Sequence, residues 1–141
     1  MSNPNLDPGL AIYFSLTIDG VDLGTFSTCS GLVVELKVDQ RAEGGTGDFV
    51  NQMPGRFEYQ PVTLTRPIGP DSAKIANWLA SNAQEMQPKT AELAALDAQG
   101  NQVYSWDLQG VLPRRWTGPS FDSSNPQVAI ETLELVFQGF L

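Results

Sequence analysis

Glu131 and Glu134 have the residue type that general acid-base chemistry needs, one carboxyl to give a proton and one to take it. Their spacing argues against that use, since strand residues an odd number apart point to opposite faces unless a bulge realigns them. Cys29 is the one thiol. It stands in Ser27-Thr28-Cys29-Ser30-Gly31 with no base in sequence reach, and reads as a small, half-buried residue at a strand end. The chain has no histidine, so neither a Ser-His-Asp nor a Cys-His arrangement can form. Asp19-Gly20-Val21-Asp22 supplies two carboxylates, too few for a calcium loop, and suits a hairpin turn better. Gly44-Gly45-Thr46-Gly47 resembles a phosphate cradle only in its glycines, because no Lys-Ser/Thr follows. No catalytic, cofactor-binding or metal-ligating residue is assigned, and the chain is not expected to be an enzyme.

The elements that position these residues are those of one domain, residues 1–141, long enough to bury a core without disulfides. Eight basic residues against sixteen acidic ones give a net charge of −8, spread along the chain. A phosphate backbone gains affinity from clustered Lys and Arg, so direct sequence-specific nucleic-acid binding is not expected. The opening MSNPNLDPGL lacks the pattern of a secretory signal. No run is apolar enough to span a membrane, and assembly in a reducing cytoplasm is the expectation.

Ile12, Phe14, Leu16 and Ile18 alternate with polar positions as in a half-buried strand. Asp19-Gly20 turns the chain into a second strand, Val21 to Thr28, with a bulge expected at Gly24. A third strand runs from Leu32 to about Gln40, carrying Glu35, Lys37 and Asp39 on its polar face. Arg41 to Arg56 shows no clean period and reads as a long exposed loop, a candidate for partner contact. Phe57 to Arg66 reads as a strand interrupted by Pro61. Gly69-Pro70-Asp71 opens a helix with Ile75, Trp78 and Leu79 on its core face. Thr90 to Ala98 has helical composition, and Leu93 and Leu96 three apart favour a helix; Pro88 before it and Gly100-Asn101 leading into the strand Gln102 to Leu112 make a hairpin partner economical. Pro113 to Pro126 reads as a second loop, and Gln127 to about Gly139 as the last strand, with a bulge near Glu131. The sum is a mainly β fold, a small antiparallel β-barrel or sandwich of about 6–8 strands flanked by one α-helix.

Pro54-Gly55-Arg56, Val62-Thr63-Leu64-Thr65-Arg66, Asn77-Trp78-Leu79 and Ile130-Glu131-Thr132-Leu133-Glu134-Leu135 stand here in order. In that order they resemble the inner tail-tube proteins of contractile-tail phages and related contractile injection systems, the Hcp-like tube family. The resemblance covers nearly the whole chain and implies a structural inner tube subunit. It also implies a strand over Thr90 to Ala98, and with the economy of a hairpin partner a strand is the expectation there. It implies a homo-oligomer of hexameric rings stacked into a hollow tube, inside a contractile sheath, with baseplate and cap proteins and cargo in the lumen. After assembly the subunit would belong to a phage, extracellular or intracellular injection particle.

Under that resemblance Gly44, Gly45, Thr46, Gly47, Asp48 and Phe49 are expected at ring-stacking contacts, and Arg114, Arg115 and Trp116 at a subunit boundary. Glu35, Lys37 and Asp39 are candidates for the lumen wall. The alternative function is a monomeric β-barrel carrier of a small apolar ligand, which would require large inward pockets.

Overall fold

The computed structural model describes residues 12–42, 50–120, 124 and 129–141, and the backbone alone of 39–42 and 50–52. Its elements, in chain order, are β1 (Tyr13–Ile18), β2 (Val21–Phe26), β3 (Thr28–Ser30), β4 (Val34–Ala42), β5 (Val50–Tyr59), β6 (Val62–Pro67), α1 (Ser72–Ser81), β7 (Lys89–Leu96), β8 (Gln102–Thr117), β9 (Ile130–Val136) and β10 (Gly139–Phe140).

β1 and β2 form the hairpin that Asp19-Gly20 predicts. Both turn residues take positive φ, 51° and 76°, which matches the twist of the flanking strands. The expected bulge is also present, since the β1–β2 register slips between Ser15 and Thr17, opposite Gly24 at φ 91°.

β8 organises the rest. Its first part pairs with β7 as far as Val111, and from Leu112 it pairs with β9. Gly110, at φ 68°, lies at the change, in a conformation that a side chain would disfavour. The resulting ladder runs β2-β1-β7-β8-β9-β6-β3, with β10 on β8. Ser27 joins β2 to β3 and its amide donates to the Thr65 carbonyl at 2.8 Å. No ladder joins β2 to β3, so among the described residues the antiparallel sheet folds over itself without closing into a barrel.

The inner faces of the folded sheet meet in a core that includes Leu16, Ile18, Leu64, Leu93, Leu108 and Leu133, all fully buried. From α1, Ile75 and Trp78 join that core, as their spacing predicts. The expected β7 strand also forms, because β1 is hydrogen-bonded along one edge and β8 along the other. Ladder pairing on both sides outweighs the helical propensity of its alanines.

Three expectations are corrected. The loop expected from Arg41 to Arg56 is, where described, part of a hairpin arm in which β4 pairs with β5 from Val34–Tyr59 to Ala42–Val50. A bulge hides its period, because the register slips between Leu36 and Val38 and leaves Lys37 facing both Gly55 and Arg56. Pro54-Gly55-Arg56 is therefore part of a strand, and a Cβ on Gly55 would lie 2.6 Å from the Lys37 carbonyl oxygen. Secondly, Phe57 to Arg66 is divided at Gln60-Pro61, with Phe57 in the arm and Arg66 in the main sheet. Thirdly, Arg114, Arg115 and Trp116 lie on β8, not in a loop. Gly44, Gly45, Thr46, Gly47, Asp48 and Phe49 lie outside the described residues.

Candidate subunit interface

Arg66 sits near the end of β6, on the inward face with Val62 and Leu64, and is nearly fully buried. A buried guanidinium is tolerated only if its donors find partners. Its Nε donates to Glu131 at 3.0 Å, its Nη1 to the Leu23 and Thr25 carbonyls at 2.7 and 3.2 Å, and its Nη2 to the Asp71 carbonyl at 2.8 Å. The Phe26 ring lies 4.3 Å from the guanidinium carbon. One side chain thus ties together β2, β6, β9 and the start of α1.

Glu131 is the counter-ion, with no exposed surface. Besides Arg66 it accepts hydrogen bonds from the Ser72 hydroxyl and, at 3.1 Å, from the Trp116 indole Nε1. Burial alone would raise its pKa. The hydrogen bonds from Ser72, Trp116 and Arg66, with the Arg66 charge, outweigh burial and hold the carboxyl below its ordinary value. Neither residue of this pair is marked as a partner of the other by its spacing along the chain. The signal was present: Glu131, Leu133, Leu135 and Phe137 continue one inward phase, and Glu131 is its polar member. The bulge expected near Glu131 is absent, as the β6–β9 register runs unbroken from Val62–Leu135 to Pro67–Ile130. The slip lies on β8 instead, between Pro113 and Arg115. Glu134 lies on the opposite face, so the two carboxylates do not form a dyad; it meets Arg114 at 3.3 Å.

Cys29 packs partly buried against the core, and burial pushes its thiol pKa up to about 11, which suppresses the thiolate form at neutral pH. An open surface cleft of about 500 Å³ lies between β2 and α1, lined in part by Val21, Lys74 and Trp78.

Exposed apolar side chains include a group on the arm and others on the body. On the arm, Val34, Leu36, Val38 and Phe57 are 41–59% exposed and share one face, while among the described residues β4 and β5 pair with no other strand. Glu35 and Lys37 occupy the opposite face; Lys37 lies 3.7 Å from Glu35 and 3.5 Å from Glu58. The backbone of Asp39 pairs with that of Met53. On the body, Trp116 is 42% exposed although its indole nitrogen is bound to Glu131. Its ring passes close over Gly118, where an added Cβ would lie 2.9 Å from it.

The description "T4-like virus tail tube protein gp19" fits residues 10–141, nearly the entire chain. The chain belongs to that tail tube family. Among solved structures, a chain of the anti-feeding prophage (AFP) baseplate superposes with a TM-score of 0.74 at 23% identity, covering 100% of this chain and 96% of that one. A chain of the PVC sheath-tube complex, from an extracellular contractile injection system in the extended state, gives 0.73 at 19% identity, covering 91% and 86%. A type six secretion system protein gives 0.53 at 13% identity, covering 90% and 80%. These likenesses show a shared fold. No curated protein matches the sequence. An open sheet edge or a bare apolar face is the kind of surface that a neighbouring chain can cover.

Proposed function

We propose that this tail tube protein is the inner tube subunit of a contractile tail or contractile injection system, forming hexameric rings that stack into a hollow conduit for cargo within a contractile sheath, between baseplate and cap. The observation that carries the reading is the arm: a two-stranded ribbon with four large apolar side chains in solvent, which reaches the core through Tyr59 at its root and adds no residue to the buried core cluster. An isolated two-stranded ribbon is marginally stable in water, so a neighbour is needed to cover it. The fold supports a structural role; Glu35 and Lys37, which share a face of the arm, are proposed for the lumen wall, and Asp39 is proposed with them on its place in the sequence. Electron microscopy of the purified protein tests the reading. Rings of uniform diameter or filaments are expected, and a uniformly monomeric protein would overturn it.

In this reading Gly44, Gly45, Thr46, Gly47, Asp48 and Phe49 contact the adjacent ring. Deleting Gly44 to Asp48 should leave the melting temperature of the monomer within a few degrees while abolishing filament growth; filaments of normal length would refute the assignment.

Trp116 is placed at a subunit boundary as an anchor whose rotamer is already fixed by Glu131, which lowers the ordering cost of binding. Trp116→Ala should weaken ring assembly by about 2 kcal/mol or more, and lower the monomer's stability by less. Equal losses, read by sedimentation and thermal unfolding, would make it an ordinary packing residue.

A further inference from the structure

The two halves of the folded sheet turn different faces away from the core. On the half built from β3, β6, β9 and the end of β8, the strand registers set four threonines in one row: Thr28 lies opposite Thr65, Thr65 opposite Thr132, and Thr132 opposite Thr117. The hydroxyls of Thr28 and Thr65 bond each other. A second row on this face runs Ser30, Thr63, Glu134, Arg115. On the other half, built from β2, β1, β7 and the start of β8, one row reads Asp22, Thr17, Glu92, Asp107. One face is rich in hydroxyls and the other in carboxylates.

The arm extends the hydroxyl face. Its strands lead out of β3 and into β6. Tyr59 at its root packs against the core, so Glu58 before it, and Glu35 opposite Glu58, are turned away from the core, on the side of Thr63 and Thr65. Lys37 stands between the two glutamates. Over this combined surface the described charges cancel, since Glu35, Glu58 and Glu134 are matched by Lys37, Arg114 and Arg115. With Asp39, proposed for the same wall, the balance is one negative charge per chain, against −8 for the chain as a whole.

Resting on the tube-subunit reading above, which sets Glu35 and Lys37 at the lumen, we infer that the threonine rows continue the lumen wall as a hydroxyl surface of cancelled charge, past which polypeptide cargo of either net sign moves without capture, while the acidic row faces the outside of the tube. A hydroxyl both donates and accepts, and it stays uncharged at any physiological pH. It therefore offers a passing chain the exchangeable hydrogen bonds that water offers. A wall of one sign would instead hold cargo of the other, over about 8 Å at physiological salt. Segregating the surplus acids to the opposite face keeps the subunit soluble without that cost.

The test is cysteine labelling of preformed tubes of the full chain, with wild type, which carries Cys29 alone, setting the background. Thr132→Cys, with Thr63→Cys as a second site, should react with a small neutral maleimide and be shielded from a maleimide carried on a bead wider than the bore. Thr17→Cys, in the acidic row, should react with both. Bead labelling at Thr132→Cys and Thr63→Cys, no reaction of either with the small reagent, or a bead that fails to reach Thr17→Cys would overturn the assignment of the faces. Charge is read from the labelling rates of two short maleimide peptides, one of lysines and one of glutamates. At Thr132→Cys the two rates should agree within about threefold at low salt, whereas at Thr17→Cys the lysine peptide should be about tenfold faster, a difference that closes at high salt. A tenfold bias at Thr132→Cys would show a wall of one sign and overturn the charge balance while leaving the tube reading intact. A wild-type chain that forms no tubes would overturn the tube reading and the wall together.

Discussion

Gly31→Ala is expected to destabilise the fold by about 3–5 kcal/mol, from two costs that add. Gly31 holds φ at 94°, where a Cβ meets its own carbonyl, a cost of about 1–2 kcal/mol. The added Cβ would also lie 1.9 Å from the Pro61 carbonyl oxygen, a backbone atom that cannot rotate away. Relief requires separating the chain after β3 from the chain entering β6, at the root of the arm, where the Gln60 amide also donates to the Val33 carbonyl at 3.0 Å. Denaturant unfolding should show a lower midpoint with an unchanged slope. A loss under about 1 kcal/mol would mean that the arm root yields freely and that Gly31 is not required there.

Glu131→Ala should cost a similar amount, about 3–5 kcal/mol, because it leaves the Arg66 charge buried and removes the acceptor for Ser72 and Trp116. Arg66→Met combined with Glu131→Leu should lose less than the two single losses summed, since a matched apolar pair leaves no unpaired charge. The same site predicts a pH dependence. The folded-state pKa of Glu131 lies below its ordinary value of 4.5, so its contribution is fully present above about pH 4.5 and is lost as pH falls through the lower folded value. Many carboxylates titrate in this range, so the informative quantity is the stability of wild type minus that of Glu131→Gln. That difference should be flat from pH 7 to about 5 and shrink below about 4.5; a difference that stays constant into acid would show that the carboxylate is not held ionised in the fold. Trp116 adds a local readout. Its fluorescence should change over the same acid range in wild type and not in Glu131→Gln, because its indole donates to that carboxylate.

Local rules made much of this fold legible. The Asp19-Gly20 turn, the Gly24 bulge, the β1 alternation and the Ile75-Trp78 stripe are short-range features, fixed by φ preferences and by periods of two and 3.6, and each is found where it is expected. The order of motifs along the chain also carried the tail tube family. The arm was less legible, since a bulge at Gly55-Arg56 shifts the strand's phase partway along and makes a regular hairpin look aperiodic.

Three-dimensional packing decided the rest. Pro113 and the arginines after it suggest a loop, yet the β9 ladder extends β8 to Thr117, because a proline is tolerated on an edge whose ladder bonds lie on the other side. Glu131 looked like a break in an apolar phase because sequence shows its charge but not its partner. Arg66 is 65 residues away and meets it only after β6 and β9 pair. Residue type and spacing, acting over a few positions, determined the elements and the family. Which charge could be buried, and which strand edge stayed open, depended on neighbours distant in sequence, whose side chains are brought within hydrogen-bonding range only by the fold.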